Sequence, residues 1–305
     1  MPRKVFLFGL FAITAAAAVI ILIQNNFFVK VPEHAAQAAY ASLAASISPA
    51  ASPSLVAASP FTPSVSPSAS SASVIEGGGQ AANRTETGYV KPKEFTEGLF
   101  IKKYPGNYAC FKFETPGGVK IVTDPYNMDE TISPDIVTES HQHEDHADTA
   151  RLSGSYKLIT EVGEYSVKGV KIKGFPGEHN KGDNAVTNRI FLFDIEGIKI
   201  AHFASQGELP DLETVRKLGN PDILLIQACK DEIYDKLTLS DCAGIIDSLK
   251  PKIVIEEHGS AGYGAKLAEY FKLPDEYASN GEIYITKRDL EEIEGFKVLD
   301  LDTEG

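Results

Sequence analysis

Hydrophobic and polar positions divide the chain into stretches of different character. Val5 to Ile23 is apolar and uncharged, behind the basic start Met1-Pro2-Arg3-Lys4. As a helix rising about 1.5 Å per residue it just spans a hydrocarbon core of about 30 Å. It is longer than the ~7–15 apolar residues of a secretory signal, so residues 1–30 are predicted to form an uncleaved signal-anchor, with cleavage near the small residues Ala36 to Ala41 as the alternative. Basic residues ahead of the run put the amino terminus inside, making a single-pass cell-membrane protein with its C-terminal domain extracytoplasmic. Residues 31–90 then turn to Ala, Ser and Pro. They hold no Asp, Glu, Lys or Arg between Glu33 and Glu76, and prolines stand at 49, 53, 60, 63 and 67. Such a segment buries too little apolar surface to offset its ordering entropy, and it reads as a flexible linker.

From residue 91 the pattern becomes that of a folded domain, 91–305. Short strand signals run over Leu99 to Tyr104, Ala109 to Glu114 and Val119 to Thr123, separated by Pro105-Gly106-Asn107 and Thr115-Pro116-Gly117-Gly118. Further strands are expected at Ile136 to Thr138, Lys157 to Thr160, Val170 to Lys173, Arg189 to Asp194 and Ile198 to His202. After these the pattern alternates. A helix is predicted over Pro210 to Leu218, a strand at Ile223 to Ile226, a helix at Asp241 to Leu249 capped by Ser240, and a strand at Ile253 to Ile255. A β-rich first half followed by βαβ-like units implies a layered α/β domain.

Charge narrows the partners. The net charge of −13 argues against nucleic acid, whose phosphates need a basic footprint. Cys110, Cys229 and Cys242 are odd in number without paired spacing, and Cys110 and Cys229 read as small apolar residues in strand-like runs.

Candidate chemistry concentrates in His141-Gln142-His143-Glu144-Asp145-His146, directly after the apolar run Ile136-Val137-Thr138. Histidines two apart point the same way along extended backbone, so His141 and His143 can reach one ion. Asp145 and His146 fall where the chain bends and can address a second. Neutral imidazole and carboxylate suit zinc and its first-row neighbours. His179 and His258 also sit just past apolar β runs, in Gly177-Glu178-His179 and Glu256-Glu257-His258. Asn180, Asp183 and Asn188 read as solvated loop residues, with substrate contact as the alternative.

These segments resemble the metallo-β-lactamase superfamily, in particular its branch of ascorbate-phosphate lactonase-like hydrolases. His-x-His-x-Asp-His is matched by His141, His143, Asp145 and His146. Asp124-Pro125 matches the Asp-Pro ahead of that motif. Gly163-Glu164-Tyr165 and Gly177-Glu178-His179 fall where the branch has its Pro-Gly-Glu-Tyr segment and third histidine, and Lys250 to Ile255 leads to the last ligand, His258. The resemblance implies a four-layer αββα sandwich over about Leu99 to Asp300, with metals at one sheet edge. Carried over, His141, His143 and His179 would hold one ion and Asp145, His146 and His258 the other. Asp124 would stand behind them as a hydrogen-bonding support, and His202 would have a structural role.

One departure stands out. Where the family's His-x-Gly-Asp supplies an Asp that bridges two metals, this chain reads His202-Phe203-Ala204-Ser205. Ser205 stands at the bridging position and a negative charge is lost there. The function expected is that of a membrane-anchored hydrolase using one or two Zn2+, or Mn2+ or Fe2+. In it, metal-bound hydroxide oriented by Asp145 attacks a small ester, lactone, lactam or phosphoester. A competing expectation is a degenerate member that binds metal or ligand without turnover.

Overall fold

A computed structural model of the chain describes residues 84–106, 108–179, 187–227, 237–258 and 263–301, and these all fall within one compact unit. Two sheets face one another. The larger has the order β1-β13-β15-β12-β11-β10-β9-β8-β7, and the smaller β14-β2-β3-β4-β5-β6. In the larger, β7 (Gly163–Val167), β8 (Val170–Glu178), β9 (Thr187–Ile195) and β10 (Ile198–His202) run antiparallel. From β10 onward the pairing is parallel, through β11 (Ile223–Ile226), β12 (Ile253–Glu256), β15 (Lys297–Leu301), β13 (Glu276–Ala278) and β1 (Thr85–Glu86). The smaller sheet joins β14 (Glu282–Ile285), β2 (Leu99–Lys103), β3 (Phe111–Glu114) and β4 (Lys120–Thr123) antiparallel. Then β5 (Ile136–Thr138) and β6 (Lys157–Ile159) follow in parallel.

Period-two alternation builds the layers. Leu99, Ile101, Phe111, Phe113, Ile121 and Ile136 of the smaller sheet join Ile172, Phe191, Phe193, Ile200, Leu225 and Ile255 of the larger in one buried cluster. This is the inter-sheet core. Val122, one residue on from Ile121, faces the other way and packs with Tyr104, Cys110, Met128 and Ile132. On the larger sheet, the helix Tyr263–Phe271 packs on β15 and β12, and the helix Leu239–Leu249 packs beside it. The result is an α/β sandwich of two mixed sheets. Helices form its outer layer on the larger sheet. On the other side, Met128 and Ile132 from the segment between β4 and β5 cover Val122 of the smaller sheet.

Several local expectations are corrected. The helix after Ile226 is capped by Thr238, not Ser240: Thr238 accepts from the Asp241 amide, and Asp241 answers the Thr238 backbone in a capping box. The predicted helix over Pro210 to Leu218 starts at Leu212, with Asp211 as its cap. Asn188 is fully buried in β9 rather than loop-solvated. Thr85 and Glu86, assigned by composition to the linker, pair with β13. Their exposed, non-apolar side chains gave no strand signal. Among the described residues no helix is long and apolar enough to cross a membrane. Residues 5–23, most of the 31–90 linker, Asn180, Asp183 and Cys229 lie outside the described residues.

Candidate metal centre

Parallel and antiparallel pairings bring the carboxyl ends of β4, β5, β8, β10 and β12 to one rim, the usual place for a site in α/β sheets. Asp124 follows β4, His141 and His143 follow β5, His179 follows β8, Ser205 follows β10 and His258 follows β12. The imidazole rings crowd together. Ring centroids of His141 lie 4.6 Å from His143, 4.0 Å from His146 and 4.5 Å from His179, while His146 and His258 are 5.0 Å apart.

Asp124 organises the cluster from below. It is fully buried with φ 41°, a left-handed conformation that Asp tolerates better than most residues. Its carboxylate accepts from the Ser140 amide at 2.6 Å, the Ser140 hydroxyl at 2.7 Å and His146 Nδ1 at 2.8 Å. Burial pushes its pKa up, but the His146 ring above all, with Ser140, outweighs this and holds it at about 2. The ionised carboxylate fixes ring tautomers. His146 donates through Nδ1, so its Nε2 carries a lone pair. Ser140, having given its single proton to Asp124, accepts from His141 Nδ1 at 3.0 Å, which frees His141 Nε2 as well. Burial and the neighbouring rings hold the His141 pKa at about 2, keeping it the neutral species a metal requires. Sequence reading passed over Ser140. Its position between the apolar strand and the first histidine was the available signal.

Potential ligand atoms fall into two trios, each with all its atoms within 4.8 Å of one another: His141–His143–His179 and Asp145–His146–His258. His141 Nε2 and His143 Nδ1 approach to 3.1 Å. Asp145 Oδ2 lies 3.5 Å from His258 Nε2 and 3.8 Å from His146 Nε2. Three N/O ligands with one position left over is the donor set of a catalytic zinc, so the residues fit such an ion. Asp124→Asn removes the charge that sets both tautomers, and a 10- to 100-fold fall in metal affinity is expected. Because its folded pKa lies below the unfolded value of 3.8, Asp124 adds stability above pH 3.8 that is lost as pH falls toward 2. Competition with a chelator, and acid unfolding of the variant, read the two effects.

Ser205 is fully buried, and its Oγ sits 3.1 Å from His146 Nε2, the nitrogen that faces Asp145. The residue before it, Ala204, has φ 50°, where the family pattern carries Gly and an L-residue bears roughly 1–2 kcal/mol of strain. A latch holds that conformation. Asn188 donates to the Phe203 carbonyl at 3.0 Å and to Gln206 Oε1 at 2.9 Å, and the Gly207 amide donates to the Glu178 carbonyl at 2.7 Å. The loops bearing Ser205 and His179 are thereby joined.

Among the described residues no glutamate joins either trio. Glu257 Oε2 is 2.9 Å from His202 Nε2, and both residues are wholly buried. The geometry is that of a close ion pair without an aligned hydrogen bond. Burial lowers the His202 pKa, but the Glu257 charge, with Asp124, outweighs this and the net shift is upward. His202 stacks edge-on to Phe111 at the top of the inter-sheet core, so it lies among core groups and not among the ligands. Glu256 lies 4.0 Å from Lys103, and burial, opposed by Lys103, pushes its pKa up to about 8. Folded pKa above unfolded means that stability falls as pH rises from about 4.5 to 8. Glu256→Gln should remove that contribution, so denaturant unfolding at pH 5 and pH 8 should show the variant gaining on the wild type at the higher pH.

Two tyrosines escaped the sequence reading. Tyr108 and Tyr126 pack edge-to-face at 4.5 Å, and the Tyr108 ring stands 6.2 Å from His258. The only signal was their position beside a turn and an Asp-Pro. A cleft of about 620 Å³ between β7 and the helix Leu212–Leu218 is lined by none of the trio residues.

A family model described as the beta-lactamase superfamily domain matches residues 105–258. A Thermotoga maritima crystal structure, of a protein proposed to be a Zn-dependent hydrolase of the metallo-beta-lactamase superfamily, is similar with 26% identity and a TM-score of 0.53. That match covers 66% of this chain and 97% of the other. A metallo hydrolase of the archaeon Ignicoccus hospitalis aligns with 17% identity and a TM-score of 0.48, over 62% of this chain and 97% of its own. No curated protein sequence matches.

Proposed function

The chain belongs to the metallo-β-lactamase superfamily, and from that membership we propose that it is a membrane-anchored hydrolase of a small ester, lactone, lactam or phosphoester. The observation that carries the reading is the pair of adjacent three-ligand clusters, His141–His143–His179 and Asp145–His146–His258. The substrate class follows the branch its motifs resemble, the ascorbate-phosphate lactonase-like hydrolases. Zinc is the ion we assign, because uncharged imidazoles outnumber carboxylates in the donor set. When bound, such an ion acidifies water and polarises a carbonyl or phosphoryl oxygen.

The chain's own residues supply the rest. His141, His143 and His179 would present ring nitrogens to one ion, and burial with the neighbouring rings keeps His141 uncharged. Asp145, whose side chain is 34% exposed, is the carboxylate placed to orient the attacking water and accept its proton. Asp124 and Ser140 hold the rings still. Residues 5–23 would tether the domain to the membrane, with the Ala/Ser/Pro-rich segment as spacer; partition of the full chain into the membrane fraction tests this. A small-molecule substrate, and no nucleic acid, fits the charge of −13.

Stripping the purified chain with a chelator and reloading it with zinc tests the chemistry. Aryl ester, lactone and phosphodiester substrates are the probes. Zinc-restored turnover on at least one class is expected, and a chain that takes up no zinc contradicts the proposal. A second reading rests on Ser205, which leaves one negative charge fewer between the trios: a binding protein without turnover. Zinc uptake with no hydrolysis of any probe would favour it.

A further inference from the structure

The rim holds a buried pair that the proposed chemistry does not use. His202 ends β10, Glu257 follows β12, and both are wholly inaccessible, with 2.9 Å between Nε2 and Oε2. By strand parity they point into the inter-sheet core, in line with Ile198 and Ile200 on one strand and Ile253 and Ile255 on the other. Only β11 separates the two strands, with His202 beside Leu225 and Leu225 beside Ile255. Neither Glu257 oxygen has an aligned hydrogen bond, so the pair is a costly occupant where an apolar pair would be as stable or more so. The sequence position of each member is telling. His202 lies three residues before Ser205, on the strained Ala204 loop, and Glu257 is bonded through the chain to the ligand His258.

Resting on the two-trio reading, we propose that the His202–Glu257 pair is a positioning clamp for the Asp145–His146–His258 trio. It ties the chain exits of β10 and β12 across β11. In this way it fixes the Ser205 hydroxyl against His146 and presents the His258 ring to Asp145. The local backbone is linked in the same sense, since the Phe203 amide donates to Leu225 and the Glu257 amide to Ile226. The other trio's last member, His179, leaves from β8, outside the strands that the pair ties, and its link to the Ser205 loop is the Gly207–Glu178 backbone bond.

Metal affinity at one trio separates this from a merely structural role. In a His143→Ala background only the Asp145 trio keeps three ligands, and cobalt titration of that chain reads its affinity from the visible spectrum. Adding Glu257→Leu should weaken this affinity at least tenfold. The corresponding test of the other trio, in a His258→Ala background, should change less than twofold. Because Glu257→Leu leaves His202 unpaired, the double change His202→Phe with Glu257→Leu is also made. It should restore the thermal midpoint but not the cobalt affinity. Recovery of both by the apolar pair, or equal weakening of both trios, overturns the clamp. If the His143→Ala chain takes up no cobalt at all, the two-trio reading itself fails and the clamp falls with it.

Discussion

Asp145→Asn should abolish most hydrolysis, lowering kcat/KM by about 10³-fold, within the 10²–10⁴ range typical of positioned proton acceptors. Among the trio residues Asp145 is the one carboxylate. Its Oδ2 faces both His146 Nε2 and His258 Nε2, at 3.8 and 3.5 Å. Asn keeps the shape but offers a neutral oxygen and a donor that turns away from a cation. Metal binding at that trio should therefore weaken together with the rate. The fold should not suffer, because the side chain is about a third exposed and its two histidine contacts are at 3.5 and 3.8 Å; a change within about 0.5 kcal/mol is expected. Unaltered thermal unfolding with lost turnover is the signature. Retained turnover would remove Asp145 from the mechanism.

Ser205→Asp should act in the opposite direction on metal and in an unfavourable direction on the metal-free fold. Ser205 is fully buried, with its hydroxyl 3.1 Å from His146 Nε2. A carboxylate there lies beside the position of a dication. One pair of unit charges at ~4 Å and an effective dielectric of ~20 is worth about 4 kcal/mol before desolvation. After that cost a 10²- to 10³-fold gain in affinity for the second ion is expected. Without metal, the same group is a buried charge near Asp145, and it should cost about 1–3 kcal/mol of stability. The variant's melting point should thus become far more zinc-dependent than that of the wild type. Calorimetric titration and thermal unfolding with and without zinc check both halves. Unchanged affinity would mean that position 205 does not face the ions.

Much of this site was readable in the residues because the ligand motif is local and chemically distinctive. His141, His143, Asp145 and His146 fall within one stretch, and Asp124, His179 and His258 each follow an apolar β run. The nearer strands were readable for a related reason: short runs bounded by Pro, Gly and Asp declare themselves by period and punctuation. What escaped depended on tertiary contact. Ser140 gains its meaning only when Asp124, sixteen residues earlier in the chain, lies beneath it. Tyr108 meets His258 across more than a hundred positions. Glu257, next to His258 in the chain, meets its partner His202 only across the fold. The final part of the chain, from Tyr263 to Leu301, carries mixed periodicities in short helices and strands, and its elements appeared only as they closed the two sheets.

The account stands on two triads of side chains gathering cations at one rim. Anomalous X-ray diffraction at the zinc edge, from crystals of the zinc-loaded protein, tests this directly. The prediction is one peak bonded to His141, His143 and His179, and a second at Asp145, His146 and His258 when zinc is in excess. Zinc density elsewhere on the protein with both triads empty would contradict it.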